Sequence, residues 1–174
     1  MQSSTRNCCK IDPHRSEIAY EMDTRAAEIR ASIDSGAALP HQAAAIAMEI
    51  FLLSVGRGAA DSEVRSLVAR FIEILPVWGM PDLLALQMSY AQTLAEAKGQ
   101  LEYEEMHKLF SLRDEIRAMR TLGLAADEQD VVELDTALRS RFSADPKKAR
   151  LVAEDRVEGW NRDSWWYAEN LKGG

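Results

Sequence analysis

An all-α bundle is what this sequence predicts, and three observations carry that prediction. Apolar residues recur at spacings of three and four along most of the 174 residues. The nine Gly and five Pro are sparse and fall mostly where helices should start or stop. Two long amphipathic segments, bracketed by Pro81 and Gly99 and by Gln100 and Gly123, meet at a one-glycine joint, the pattern of an αα-hairpin. With 47 % hydrophobic residues the chain can bury a core, as one ordinary domain or two small ones.

Residues 1–11 read as a polar tail. Its adjacent Cys8 and Cys9 cannot staple a loop, and they read as free thiols in a reducing cytosol. The N-terminus has no apolar run of the signal-peptide kind. Asp12-Pro13 is a helix start, followed by the stripe Ile18, Met22, Ala26, Ile29 and Ile33, and Gly36 ends it. Pro40 opens a helix to about Val55 that is apolar almost all round, which places it at the centre of the N-terminal half. Its most apolar run, Ala43 to Val55, is interrupted by Glu49 and is too short to span a bilayer. Gly56-Arg57-Gly58 breaks this helix. Asp61 then caps another, with Val64, Leu67, Val68, Phe71, Ile72 and Leu75 on one face and Pro76 at its end.

Helix, glycine turn and amphipathic helix make a helix-turn-helix-like N-terminal part over residues 12–76. Arg65, Arg70, Ser62 and Ser66 lie on the outer face of its second helix, with Arg57 in the turn, as donors for double-stranded DNA. An ordinary helix corner with solvated arginines explains the same residues.

Residues 77–124 hold the hairpin. Leu84, Met88, Ala91 and Ala95 form a seam on its first arm; Leu109, Leu112, Ile116 and Met119 form one on its second. Each arm is about 30 Å long, more surface than the two arms cover for each other. The seams therefore point either to the N-terminal half or to other copies, with Leu84, Met88, Leu112 and Ile116 as candidate oligomer contacts. Arg113, Arg117 and Arg120 make one basic stripe on the second arm. They read either as partners of nearby carboxylates (Glu102, Glu105, Asp114, Glu115) or as a strip that tracks phosphate. A lone Glu104-x-x-His107 lacks the second pair a di-iron bundle needs, and no metal or cofactor is expected.

Residues 125–158 carry two further helices, one capped by Asp127 with Val131, Leu134, Leu138 and Phe142 inward, one started by Asp145-Pro146. An acidic block at 121–138 precedes a basic block at 139–150, and the two could pair within one chain or between copies. Residues 159–174 concentrate Trp160, Trp165, Trp166 and Tyr167. Such aromatics on a short polar segment fit a docking segment for a protein partner, or a tail folded back onto the core.

The approach helix EVRSLVARFIEIL, the break at Trp78, the start Pro81-Asp82-Leu83-Leu84, the arm around Tyr90-Ala91 and the end Arg120-Thr121-Leu122-Gly123-Leu124 resemble the small terminase subunits of tailed phages, over roughly residues 63–128. That resemblance implies a ring-forming, non-enzymatic DNA-packaging adaptor that recognises viral DNA and presents it to a large ATPase-nuclease subunit. It makes Arg57, Arg65 and Arg70 DNA contacts and the hairpin residues assembly contacts. The alternative is a small acidic helical adaptor or inhibitor from a phage or mobile element, acting by protein–protein contact. The net charge of −7 and pI near 5.1 argue against a chain that coats nucleic acid over its whole surface. No Gly-rich phosphate loop, nucleophile motif or paired metal ligands point to an enzyme. The chain reads as cytoplasmic and without a membrane partner.

Overall fold

The structure is a computed structural model that describes residues 13–172. Among the described residues there are eight helices: α1 (Pro13–Ser35), α2 (Pro40–Arg57), α3 (Ser62–Ile74), α4 (Leu83–Ala95), α5 (Tyr103–Thr121), α6 (Glu128–Ala144), α7 (Pro146–Arg156) and α8 (Trp165–Leu171). The fold class is the all-α bundle that the periodicity predicts. The readings of Cys8, Cys9 and Asp12 lie outside the described residues.

Helix starts follow the local chemistry. Asp61 accepts from the backbone N–H of Glu63 and Val64 at 2.9 and 3.1 Å, which closes the exposed donors at the head of α3. Asp127 does the same for Gln129 at 2.7 Å, and Asp145 for Lys148 at 3.1 Å. The Asp145 carboxyl is held below its usual range by those Lys148 hydrogen bonds. α2 runs two residues beyond Val55 and stops at Gly58, whose φ of +92° only glycine adopts without strain.

Two helices organise the packing. α2, apolar on almost every side, touches α1, α3, α4 and α5. α5 touches α2, α4 and α7. One continuous core follows, from Ala26 on α1 to Tyr167 on α8. In α1 the apolar stripe is buried only from Ala26 onward; Ile18 is exposed and Met22 half-buried.

The hairpin arms do pack on each other, but as α4 and α5 they are shorter than predicted, about 20 and 28 Å. The joint is residues 96–102 rather than one glycine. Its carbonyls need donors because α4 has ended, and the basic block supplies them. Arg141 of α6 donates to the carbonyls of Ala95 and Gly99, both at 2.7 Å, and to that of Ala97. Lys148 of α7 donates to the carbonyl of Leu101. Arg141 and Lys148 of the basic block therefore serve this backbone, while Arg139 pairs with Glu169 and Arg150 with Glu154 rather than with the acidic block beside them.

Leu84, Met88, Leu112 and Ile116 are all buried within one chain, where α4 meets α5 and α6 and α5 meets α2. This corrects their reading as contacts between copies: neighbouring helices of the same chain already cover them. Among the described residues no helix is long and apolar enough to cross a membrane.

Candidate functional site

α5 presents Arg113, Arg117 and Arg120 at i, i+4 and i+7, so all three emerge on one face. At Gly123, with φ of +99°, the chain turns and lays Leu124, Ala125 and Ala126 beside them before α6 begins. The segment between α7 and α8 forms the facing wall. It is held by the buried Asn161, which accepts from the Glu158 N–H at 2.6 Å and donates to the Arg156 carbonyl at 3.3 Å. The result is an open cleft of about 650 Å³, lined by the three arginines and by Thr121, Leu124, Glu128, Asp163, Ser164 and Trp166 among others.

The three arginines are in three different states. Arg113 is 7 % exposed; its Nε and Nη2 donate side-on to the two oxygens of Asp135 at 2.8 and 3.2 Å, and it stacks 4.3 Å from the Trp166 ring centroid. Arg120 pairs with Glu128, an exposed carboxylate on the first turn of α6. Arg117 has no carboxylate partner among the described residues. One amino group, Nη1, donates to the Trp160 carbonyl at 3.2 Å and the Ser164 hydroxyl at 2.5 Å, and its guanidinium lies 5.9 Å from the ring centroids of both Phe51 and Trp160. Its Nε and Nη2, the fork that Arg113 uses on Asp135, have no acceptor among the described residues.

Behind this face lies a polar hub. Asp114 is 1 % exposed and accepts from Trp166 Nε1 at 3.1 Å, Tyr167 Oη at 2.6 Å and Arg156 Nη2 at 3.3 Å. Burial pushes its carboxyl above the usual range, and those donors pull the other way without cancelling it. Burial, reinforced by Asp114, also raises the Tyr167 phenol. Arg156 Nη1 sits 3.1 Å from Nε2 of His107, and burial together with Arg156 lowers that imidazole. Glu115 is raised by burial, and its Oε2 is enclosed without a hydrogen-bond partner.

This hub corrects the reading of the aromatic tail as a docking segment. Trp166 and Tyr167 are buried, and Trp160 and Trp165 are half-buried against the core. The physical reason is that each polar ring atom finds an acceptor: Trp166 and Tyr167 on Asp114, Trp165 on Asp135 at 3.1 Å, and Trp160 on Glu158 at 2.7 Å.

The candidate DNA-binding arginines lie elsewhere, around α3. Arg57 is bound by Asp23 and by Glu63 at 2.8 Å, and Arg70 by Asp34. Both are thus paired within the chain rather than free, Arg57 largely enclosed and Arg70 in a pair about half exposed. Arg65 alone is exposed without a carboxylate partner among the described residues. Sequence reasoning found the α5 stripe and named Asp114 as a possible partner of it, but did not find Asp114 as the acceptor of Trp166, Tyr167 and Arg156, nor Asp135 as the partner of Arg113. One signal existed for Asp114. The row Met106, Phe110, Asp114, Ala118 repeats every four residues and is buried throughout, so the one acid in it had to carry partners.

Comparison with protein-family models, with curated proteins and with solved structures finds no match for this chain.

Proposed function

We propose that this chain is a non-enzymatic adaptor that acts by protein–protein contact, and that the α5 cleft is where it holds its partner. Arg117 carries the proposal. It is a half-buried cation whose side-on fork is empty while the neighbouring Arg113 fork is filled. Side-on arginine forks match carboxylates, and Arg and Trp together are what binding hot spots favour. Co-purification with the wild-type chain and with Arg117→Gln tests it. Partners should be retained by the former and lost from the latter, with unchanged melting; identical partner sets from both would refute the proposal.

A second reading, the DNA-packaging adaptor implied by the resemblance, is favoured by Arg65, exposed on the outer face of α3 with Ser62 and Ser66. Under it the chain assembles into a ring and presents viral DNA to a large ATPase-nuclease subunit. Light scattering and duplex-DNA titrations at two salt concentrations test this. A large oligomer whose DNA affinity falls steeply with salt supports it, and a monomer with no salt-dependent binding removes it.

A further inference from the structure

We infer that Glu128 is a built-in stand-in for the ligand, and that the cleft takes an acidic side chain of a partner protein, Asp or Glu, which displaces Glu128 from Arg120 and fills the open fork of Arg117. This rests on the reading of the cleft as the docking site.

The three arginines form a graded series. Arg113 meets Asp135 where the two side chains are only 7 and 17 % exposed, so that pair is part of the fold. Arg120 meets Glu128 where the exposures are 32 and 77 %. Such a pair is screened by water, contributes little, and exchanges readily. Arg117 holds no carboxylate. It precedes Arg120 by three residues, about 4.5 Å along the helix axis, and both line the cleft, so an acid that displaces Glu128 enters beside Arg117.

The open fork, more than the sum of charges, selects the ligand. Asp135 binds Arg113 and Glu128 binds Arg120, which leaves Arg117 as the one arginine of the cleft without a bound carboxylate, while Asp163 on the lining brings the sum of charges to zero. A single carboxylate fills that fork with the least added negative charge. A dianionic phosphate or a nucleic-acid backbone would bring excess negative charge beside Asp163 and Glu128. Leu124, Ala125 and Ala126 offer apolar surface to the residues that flank the acid.

Fluorescence anisotropy with labelled hexaglutamate tests the inference, with hexaglutamine, inorganic phosphate and a short DNA duplex as competitors. The proteins are the full chain and its Glu128→Gln and Arg117→Gln variants, each matched for melting temperature. Glu128→Gln should bind hexaglutamate about two- to fivefold more tightly than the wild type, the effect of releasing one exposed ion pair. Arg117→Gln should bind about tenfold more weakly or worse, as expected for loss of charge-assisted hydrogen bonds. None of the competitors should displace the probe at equal concentration. Equal binding by wild type and Glu128→Gln, with Arg117→Gln weakened, overturns the stand-in role and leaves the docking site intact. Equal binding by Arg117→Gln and wild type overturns the docking site itself. Preferential displacement by phosphate or DNA overturns the carboxylate assignment, and absence of hexaglutamate binding to every form overturns the inference.

Discussion

The two ends of the molecule differ in how deeply they place the same side chains. Around α1–α3 the arginines meet acids at the surface: Arg25 with Glu49, Arg30 with Glu63, Arg70 with Asp34, most of these side chains about half exposed. Around α5–α8 some pairs are as exposed, such as Arg139 with Glu169 and Arg150 with Glu154, but two arginines sit between rings and enclosed carboxylates: Arg113 over Trp166, and Arg156 against Asp114 and Tyr167. Arginine–acid pairing thus lies at the surface in both regions, with Arg57 the most enclosed in the first, and also builds the interior of the second. The difference lies in what surrounds the pair. The C-terminal region has aromatic residues whose polar atoms complete the carboxylates and whose faces cover the guanidinium groups.

The largest expected effect comes from Asp114→Ala. Removing that acceptor takes the carboxylate from Arg156 and leaves the donors of Trp166 and Tyr167 enclosed without it, at a cost of about 3–5 kcal/mol in urea unfolding. Asp34→Ala, the matching change in α1, should cost less than about 1 kcal/mol. Similar losses from both would erase the contrast between the two regions. Next is Tyr167→Phe, which keeps the ring and removes one hydrogen bond to a buried carboxylate; about 1–3 kcal/mol is expected by the same method.

Smaller and opposite in sign is Glu115→Gln. A carboxyl raised by burial binds its proton more readily folded than unfolded, so above the unfolded value of about 4.3 its charge weighs against folding. The variant should therefore melt higher than wild type near neutral pH, and the advantage should vanish once pH falls below that value. Smallest is His107→Gln. The His107 imidazole is lowered, so the unfolded chain binds its proton first. Its effect on stability is absent above the unfolded value of about 6.5 and becomes a loss as pH falls below it. Calorimetry at pH 7 and pH 5.5 should show a smaller drop for the variant; equal drops would show that His107 titrates as though exposed.

Helix positions were legible because they are written locally. Asp61, Asp127 and Asp145 sit where caps belong, and Val131, Leu134, Leu138 and Phe142 face inward as their spacing requires. The ends of α4 and α5 are not written locally, because their joint is completed by Arg141, some 40 residues away. The seams on α4 and α5 were correctly apolar, yet periodicity says that a face is covered and not by what. The cleft was half legible for the same reason. The stripe of Arg113, Arg117 and Arg120 can be read from α5 alone, whereas its partners are Asp135, the 160–164 segment and Glu128. Nothing local distinguishes the arginine that is paired from the one that is open.

The Asp114 hub also sets a timetable. Its donors Trp166 and Tyr167 lie 52 and 53 residues downstream in the chain. At roughly 5–20 residues per second of synthesis, α5 waits about 3–10 s for them. During that interval α5 carries a carboxylate that cannot enter the interior without its donors. The growing chain therefore passes through a stage in which α1–α5 have been made but the face of α5 that carries Asp114 still stands open to proteases and chaperones.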